Sequence, residues 1–228
     1  MYNYKSRYKI KGLSVYGEPN FSILHKLDKF ININKDTSIL IVNAKDGIYT
    51  LPFAKKSKYI TCYEENKDLL YGGIIDNFYS VGLVNRLKCN KLDSNVIIHN
   101  SNYYEEEHQE KYDFVYVSLS LNLEKNKHIS IKDKVRKLKS SVKVDGYLYI
   151  YYELMIDNKE KSNSYLKFNE MKTYFDLEDW QLLYICERQK KSSNIHTITN
   201  GYIFARKKNN RKKYKYNFEI QINNKIEY

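Results

Sequence analysis

The chain has 228 residues, and its 42% hydrophobic and 15% aromatic content excludes an intrinsically disordered protein. A formal net charge of +12 favours a polyanionic partner, although a lysine-rich surface that only maintains solubility would carry the same charge. The cysteines Cys62, Cys89 and Cys186 have no Cys-x-x-Cys spacing, which argues against disulfides or structural zinc and indicates a reducing, cytoplasmic compartment.

Predicted strands and helices alternate along the first half of the chain. A polar and aromatic segment, residues 1–20, precedes a helix that Asn20 caps and Phe21 begins. Short apolar or β-branched runs predict strands over 39–42, 59–63 and 95–99. Apolar residues at helical spacing predict helices over 49–57 and 66–79.

The second half begins with the same alternation and ends with strands alone. Its predicted elements are a strand over 112–118, a basic helix over 131–141, a turn and strand over 143–152 and a short helix over 168–175. Strands over 180–187 and 195–206 follow without a helix between them, so we expect them to pair antiparallel. Residues 216–222 alternate and predict an edge strand.

Five strand–helix cycles followed by an antiparallel pair predict an α/β domain with a mostly parallel sheet and helices on both faces. No apolar run reaches about 18 residues, so neither a transmembrane helix nor membrane binding is predicted. The first residues lack an apolar core and do not form a signal peptide.

The stretch 38–54 predicts a buried strand, a tight turn ending at Gly47 and the start of a helix. In α/β domains, such a turn presents backbone amides and a helix N-terminus to a ligand at the carboxyl end of the strand. Gly47 is the single glycine in a turn that usually has two or three.

The order of these elements resembles the class I S-adenosylmethionine-dependent methyltransferases. That family has a Rossmann-like fold, with a mostly parallel seven-stranded sheet, helices on both faces and a C-terminal antiparallel hairpin. The stretches that resemble its successive motifs are 38–54, 60–64, 95–101, 111–117 and 138–150. The segments 168–175, 180–184 and 203–208 are loosely similar to the ends of small tellurite-resistance-type and ubiquinone-biosynthesis-like methyltransferases.

The resemblance implies S-adenosylmethionine as cofactor and a set of residues around it. Those residues are Asn43, Ala44, Lys45, Asp46, Gly47, Glu64, Glu65, Asn100, Ser101 and Ser118. Glu64 ends the second motif, where the family has an acid that binds the ribose hydroxyls. Asn100 and Ser101 follow the third strand, where an adenine contact is expected, but an ordinary Asn-Ser turn has the same sequence.

The first motif departs from the family pattern. Aligned on Gly47, the family's initial acid falls on Ile41 and its first two glycines fall on Asn43 and Lys45. Asparagine tolerates left-handed backbone geometry, whereas the Lys45 side chain must point away or place its charge near a cationic sulfonium. Asp46 either offsets that charge or replaces the lost acid.

No catalytic residue is assigned from sequence. Ser118 and Ser120 follow the fourth strand, but the Asn/Asp-Pro-Pro-Tyr/Phe signature of amino-group methylation is missing there. Histidines 99, 108, 128 and 196 are isolated and predict no metal site.

The chain is therefore expected to comprise three parts. These are an N-terminal extension, 1–20, that either covers the site as a lid or packs beside it, a methyltransferase-like domain, 21–208, and a basic extension, 209–228. The basic run that could bind nucleic acid is Arg206, Lys207, Lys208, Arg211, Lys212, Lys213 and Lys215, although a solvated tail has the same composition.

Two main hypotheses of function follow. The first is an S-adenosylmethionine-dependent methyltransferase whose acceptor is a small molecule or RNA. The alternative is a catalytically degenerate protein of the same fold that binds RNA or a protein partner as a scaffold subunit. An aminopropyl transferase ranks last, because the two adjacent aspartates expected after the fourth strand are missing.

Overall fold

The computed structural model describes residues 14–108, 111–123, 127–154, 165–190, 198–209 and 226–227. The chain divides into two compact units, Met1–Glu106 and Glu107–Tyr228. Each unit has its own strands and helices, and each is described separately below.

The first unit contains the predicted strand–helix cycles. In chain order its elements are α1 (Phe21–Ile31), β1 (Ser38–Val42), α2 (Thr50–Ala54), β2 (Tyr59–Tyr63), α3 (Lys67–Tyr71), β3 (Gly73–Ile75), β4 (Phe78–Ser80), α4 (Leu83–Cys89) and β5 (Val96–His99). Strand β2 lies between β1 and β5 and is parallel to both. Residues 39–42 of β1 are all buried, as expected for a parallel strand covered on both faces.

The first helix begins where its capping residue predicts. The Asn20 side chain accepts a hydrogen bond from the Ile23 N–H, 3.2 Å away, and α1 starts at Phe21. The helix ends at Asn32, whose φ of 51° is left-handed.

The predicted helix over residues 66–79 is wrong beyond Tyr71. Gly72, with φ 104°, ends α3, and the chain then forms the antiparallel hairpin of β3 and β4. Asp76 and Asn77 connect the strands, and both have positive φ, 46° and 68°, as a type I′ turn requires. The apolar residues 74, 75 and 78 match a helical spacing in sequence but occupy strand positions in the structure.

The second unit contains β6 (Tyr112–Ser118), α5 (Ile131–Ser140), β7 (Val142–Glu153), β8 (Trp180–Lys190), β9 (Ile198–Lys207) and β10 (Ile226–Glu227). Strands β6 and β7 are parallel, and β9 pairs antiparallel with both β7 and β8. A 3-10 helix, Met171–Tyr174, lies within the predicted helix 168–175. The predicted edge strand 216–222 lies outside the described residues.

In the described part of the chain, seven strands remain when the β3–β4 hairpin and the two-residue strand β10 are left out. Their mostly parallel pairs, the helices between them and the C-terminal antiparallel hairpin confirm the predicted fold class. None of the helices in the described part of the chain is long and apolar enough to cross a membrane.

Candidate functional site

Three residues of the turn after β1 have left-handed backbone angles, and one of the three is glycine. Asn43, Lys45 and Gly47 have φ of 61°, 55° and 89°, so every second residue is left-handed. The Ala44 N–H donates to the Tyr63 carbonyl at 3.1 Å, and the Gly47 N–H donates to the Ala44 carbonyl at 3.0 Å. These bonds hold asparagine and lysine in a conformation that glycine adopts without steric cost.

Gly47 is required at its position for two reasons. Its φ of 89° is disfavoured for residues with a side chain. A Cβ atom there would also lie 2.5 Å from Leu83 Cδ1 and 2.9 Å from Leu51 Cδ1, well inside van der Waals contact. The turn is therefore packed against α2 and α4 at this point.

Glu64 joins the end of β2 to the turn after β1. Its side chain is 5% exposed, Oε2 accepts from the Lys45 N–H at 2.8 Å, and Oε1 accepts from the Asn66 N–H at 2.9 Å. The residue predicted to bind ribose thus also fixes the left-handed turn.

Asn100 follows β5 and connects it to the residues that follow β2. Its Nδ2 donates to the carbonyls of Glu64 and Glu65, at 3.0 Å each. Ser101 follows directly and is half-buried. The Tyr63 and His99 rings stack beside this point with centroids 4.5 Å apart and planes 6° apart. The structure therefore brings the predicted residues of the first unit together at the carboxyl ends of β1, β2 and β5.

The Lys45 side chain points toward the N-terminal segment. Its ammonium lies 4.5 Å from the centroid of the Tyr16 ring, within the range of a cation–π contact. Burial, together with the charges of Asp46 and Glu64, raises the pKa of Tyr16 to about 12, so its hydroxyl stays protonated at neutral pH. Lys45, at a position where the resemblance predicts glycine, thus contacts an aromatic ring of the N-terminal segment.

Asp46 is fully buried and fastens the N-terminal segment to the turn. Its carboxylate accepts from Ser14 Oγ at 2.6 Å and from the Val15 N–H at 2.7 Å. Arg86 Nη1 lies 3.3 Å from Asp46 Oδ1 and also donates to the Asp46 carbonyl. Burial lowers the pKa of Arg86, and the charge of Asp46 opposes that shift.

Arg86, Tyr16 and Ser14 are part of this site but are not predicted from sequence. The detectable signal for Arg86 is its position on α4, where it falls on the buried side with Leu83 and Leu87. A charged residue on the apolar side of a helix indicates a buried partner. For Tyr16 and Ser14, the sequence contains no comparable signal.

The predicted residue Ser118 belongs to the second unit, at the end of β6, where it is buried. The next residue, Leu119, has φ 53°, and its N–H donates to the Tyr151 carbonyl at 2.8 Å. Buried Lys134 donates from Nζ to the Leu121 carbonyl at 2.7 Å. Within this unit, the loop after β6 is held to β7 and α5.

No metal centre is formed by the part of the chain that the structure describes, where no three His, Cys, Asp or Glu side chains cluster. In that same part, Cys62, Cys89 and Cys186 are free thiols.

No protein-family model and no curated protein matches the sequence. Solved structures do match the fold. TehB from Haemophilus influenzae is similar at 20% identity and a TM-score of 0.61, over 82% of this chain and 62% of TehB. The chain has the class I methyltransferase fold. It also resembles an rRNA methylase from Streptococcus thermophilus, at 15% identity and a TM-score of 0.54, over 82% of this chain and 96% of that one.

A third similar structure is magnesium protoporphyrin IX methyltransferase from Synechocystis PCC 6803 with bound S-adenosylmethionine. Its identity is 10% and its TM-score 0.58, over 82% of this chain and 77% of that one. The match to TehB agrees with the predicted likeness to tellurite-resistance-type methyltransferases at the level of the fold. Identities this low establish the fold alone, because one fold can host several chemistries.

Proposed function

We propose that this chain is an S-adenosylmethionine-dependent methyltransferase whose acceptor is a small molecule or RNA. The observation that carries the proposal is Glu64, which lies at the end of β2 and holds the Lys45 N–H of a left-handed turn. A carboxylate at this position, beside a turn of this geometry, suits the ribose of a nucleoside cofactor.

The residues of this edge are compatible with the cofactor. Glu64 holds a carboxylate at the end of β2, and a carboxylate is the acceptor that suits ribose hydroxyls. Asn100 holds the backbone at Glu64 and Glu65, which keeps the carboxylate in position. The Lys45 ammonium lies over the Tyr16 ring, a contact that stabilises the cation on the N-terminal segment.

S-adenosylmethionine, when bound, supplies an activated methyl group. The protein then needs to bind the cofactor, orient the acceptor in line and exclude water. In this chain Glu64 and the turn 43–47 would bind the cofactor, and the Asp46–Arg86 ion pair would keep the turn rigid.

A scaffold subunit of the same fold is the second candidate. It is supported by the engagement of both Glu64 oxygens with backbone amides and of the Asp46 carboxylate with Arg86 and Ser14. Those bonds would stabilise the edge without a ligand. The net charge of +12 would then attract RNA or an acidic protein partner.

A thermal melt with S-adenosylhomocysteine separates the two candidates. A ligand at 100 times its Kd stabilises the folded state by about 2.7 kcal/mol, which raises the Tm of a chain of this size by roughly 5–10 °C. We expect this shift for the parent and its loss in Glu64→Gln. The exposed acid Glu105 provides the control variant, Glu105→Gln, which should keep the shift. A folded parent without any shift at millimolar ligand would refute the methyltransferase proposal.

A cytoplasmic location remains part of this proposal. Burial raises the pKa of Cys62 to about 12, so that thiol stays protonated and unreactive. The free thiols of the described chain are compatible with a reducing compartment.

A further inference from the structure

The first unit contains a cavity of about 640 Å³. Helices α1, α2 and α4 supply most of its wall. The residues that line it are Pro19, Phe21, Leu24, His25, Asp28, Ile48, Leu51, Pro52, Lys55, Lys56, Arg86 and Asn90. The volume is within the range of sites that hold small organic ligands.

The cavity is distinct from the candidate cofactor site. Neither the turn 43–47 nor Glu64 nor Asn100 belongs to its wall. Its deepest charged group is Arg86, which is 5% exposed and lies on α4. A ligand here would therefore contact the helices beneath the turn and leave the carboxyl ends of the strands accessible.

Half of the wall is apolar. Leu24 and Phe21 come from α1, and Ile48, Leu51 and Pro52 come from the start of α2 and the residues before it. The Phe21 side chain is 63% exposed, so its ring presents apolar surface at the cavity. An apolar ligand body that covers this ring would remove it from water.

The charges of the wall are mainly positive. Lys55, Lys56 and Arg86 contribute three cations, and Asp28 is the acid among the lining residues, paired with Lys56 at 2.7 Å. Asp46, which pairs with Arg86, lies behind the wall. Three cations and two acids leave this part of the unit with a net charge of one positive unit.

We propose that this cavity binds a small amphipathic anion. The apolar body of the ligand packs on Phe21, Leu24 and Leu51, and its carboxylate, sulfonate or phosphate group faces the exposed ammonium of Lys55. This site goes beyond the proposed methyl transfer and does not depend on it, because neither Phe21 nor Lys55 contributes to the turn 43–47 or to Glu64. Arg86 is shared, since it lines the wall and also positions the turn through Asp46.

The test uses the full chain and the fluorescent probe 8-anilinonaphthalene-1-sulfonate, which has an apolar body and one sulfonate. We expect saturable binding of one probe per chain with a Kd in the micromolar range, followed by fluorescence and checked by calorimetry. Lys55→Glu and Phe21→Ser should each weaken binding at least tenfold. Both side chains are exposed, so neither change endangers the fold.

Three controls decide where and how the probe binds. Lys67→Glu changes an exposed lysine outside the cavity and should leave the Kd unchanged, as should Tyr79→Ser on the exposed hairpin. The uncharged analogue N-phenyl-1-naphthylamine should bind at least tenfold more weakly than the sulfonate. The proposal is overturned if the parent shows no saturable binding at 1 mM probe (roughly the weak limit for a specific site). It is also overturned if Tyr79→Ser abolishes binding, if Lys55→Glu and Phe21→Ser leave the Kd unchanged, or if the neutral analogue binds equally well.

Discussion

Asn43 and Lys45 adopt left-handed backbone angles, φ 61° and 55°, that cost an L-residue about 1 kcal/mol each relative to glycine. The surrounding contacts offset this cost. The Lys45 N–H donates to buried Glu64, and the Lys45 ammonium lies over Tyr16. A hydrogen bond to a charged group contributes about 1.5–3 kcal/mol, enough to hold a non-glycine residue in this conformation.

Gly47 offers a sharp test of the packing beneath this turn. Gly47→Ala should lower the free energy of unfolding by about 2–4 kcal/mol, because positive φ and overpacking of a tight site act together. Gly17 is the matched control, since it has φ 85° but open space around its Cβ position. Gly17→Ala should cost only about 1 kcal/mol. If urea denaturation showed the same decrease in unfolding free energy for both variants, Leu51 and Leu83 would have no role in fixing the turn.

Lys134 provides a pH-dependent prediction. Burial lowers its pKa from 10.5 to about 8 in the folded chain. Between pH 8 and 10.5 the unfolded chain binds the extra proton and the folded chain does not, so this group makes stability rise with pH in that window. Below pH 8 both states are protonated and the contribution is constant.

The difference in unfolding free energy between the parent and Lys134→Met isolates this group from other titrations. We expect the difference to change across pH 8–9.5, with the parent gaining stability relative to the variant. Lys132→Met, on the exposed side of the same helix, should show no such change. A flat difference for Lys134→Met would show that the lysine keeps its ordinary pKa in the folded chain.

At the scale of elements, the hairpin β3–β4 is the main departure from a plain strand–helix alternation. Gly72 and Gly82, with φ 104° and 85°, flank it, and a Cβ at Gly82 would lie 2.4 Å from the Gly72 nitrogen. The side chains of Ile74 and Tyr79 face each other across the strands, and both are exposed. The hairpin is thus defined by its turn and by the close approach of its two ends.

The turn of this hairpin should respond to the residue at position 77. Asn77 has φ 68°, which glycine adopts more easily than asparagine, and alanine less easily. Asn77→Gly should raise the free energy of unfolding by up to about 1 kcal/mol, and Asn77→Ala should lower it by a similar amount. Denaturant melts of both variants check the signs. A lower stability for the glycine variant would contradict the type I′ turn.

Sequence patterns predict some of these elements well because their signals are local. Strands β2 and β6 begin and end at the predicted residues, since each is a short β-branched and aromatic run between polar residues. Asn20 marks the start of α1 in the same way. The hairpin is missed because residues 66–79 have apolar spacing that suits both a helix and two short strands. Gly72, which ends α3, and the left-handed pair Asp76–Asn77 distinguish them.

Sequence patterns predict one part of the candidate site. The ends of β1, β2 and β5 bring Glu64, Asn100 and the turn 43–47 together, as strand order alone implies. Asp46 bonds to Arg86 and to Ser14, which are separated from it by 40 and 32 positions in the sequence. Such pairings depend on how helices pack, and local sequence patterns do not encode them.

At the scale of the whole molecule, the net charge of +12 is the dominant property. Described basic residues near the end of β9 have local partners. Arg206 pairs with Asp145 at 3.0 Å, and Lys207 donates to the Val142 carbonyl at 3.1 Å. Residues 211–213 and 215 of the predicted basic run lie outside the described part. The predicted binding of a polyanion therefore rests on those later residues and stays a prediction.

Neutralising the tail tests that prediction without removing β10, which pairs with β8. Arg211, Lys212 and Lys213 changed together to serine should weaken binding of single-stranded oligouridylate. The slope of log K against log salt should become shallower by about 2, at roughly 0.7 per lost phosphate contact. Three exposed lysines of the first unit, Lys67, Lys88 and Lys91, serve as the matched control triple. An equal change in both triples would mean that the tail has no special role.

The most direct test of the central claim is an amide NMR titration of the full chain with S-adenosylhomocysteine. A cofactor at the carboxyl ends of β1, β2 and β5 should shift the amide signals of Lys45, Asp46, Glu64, Asn66 and Ser101, with one saturating Kd. The amides of Phe21, Leu24 and Lys55 around the separate cavity should stay unchanged. Saturable shifts at the cavity alone, or no shifts at millimolar ligand, would contradict a nucleoside-cofactor site organised by Glu64 and the left-handed turn.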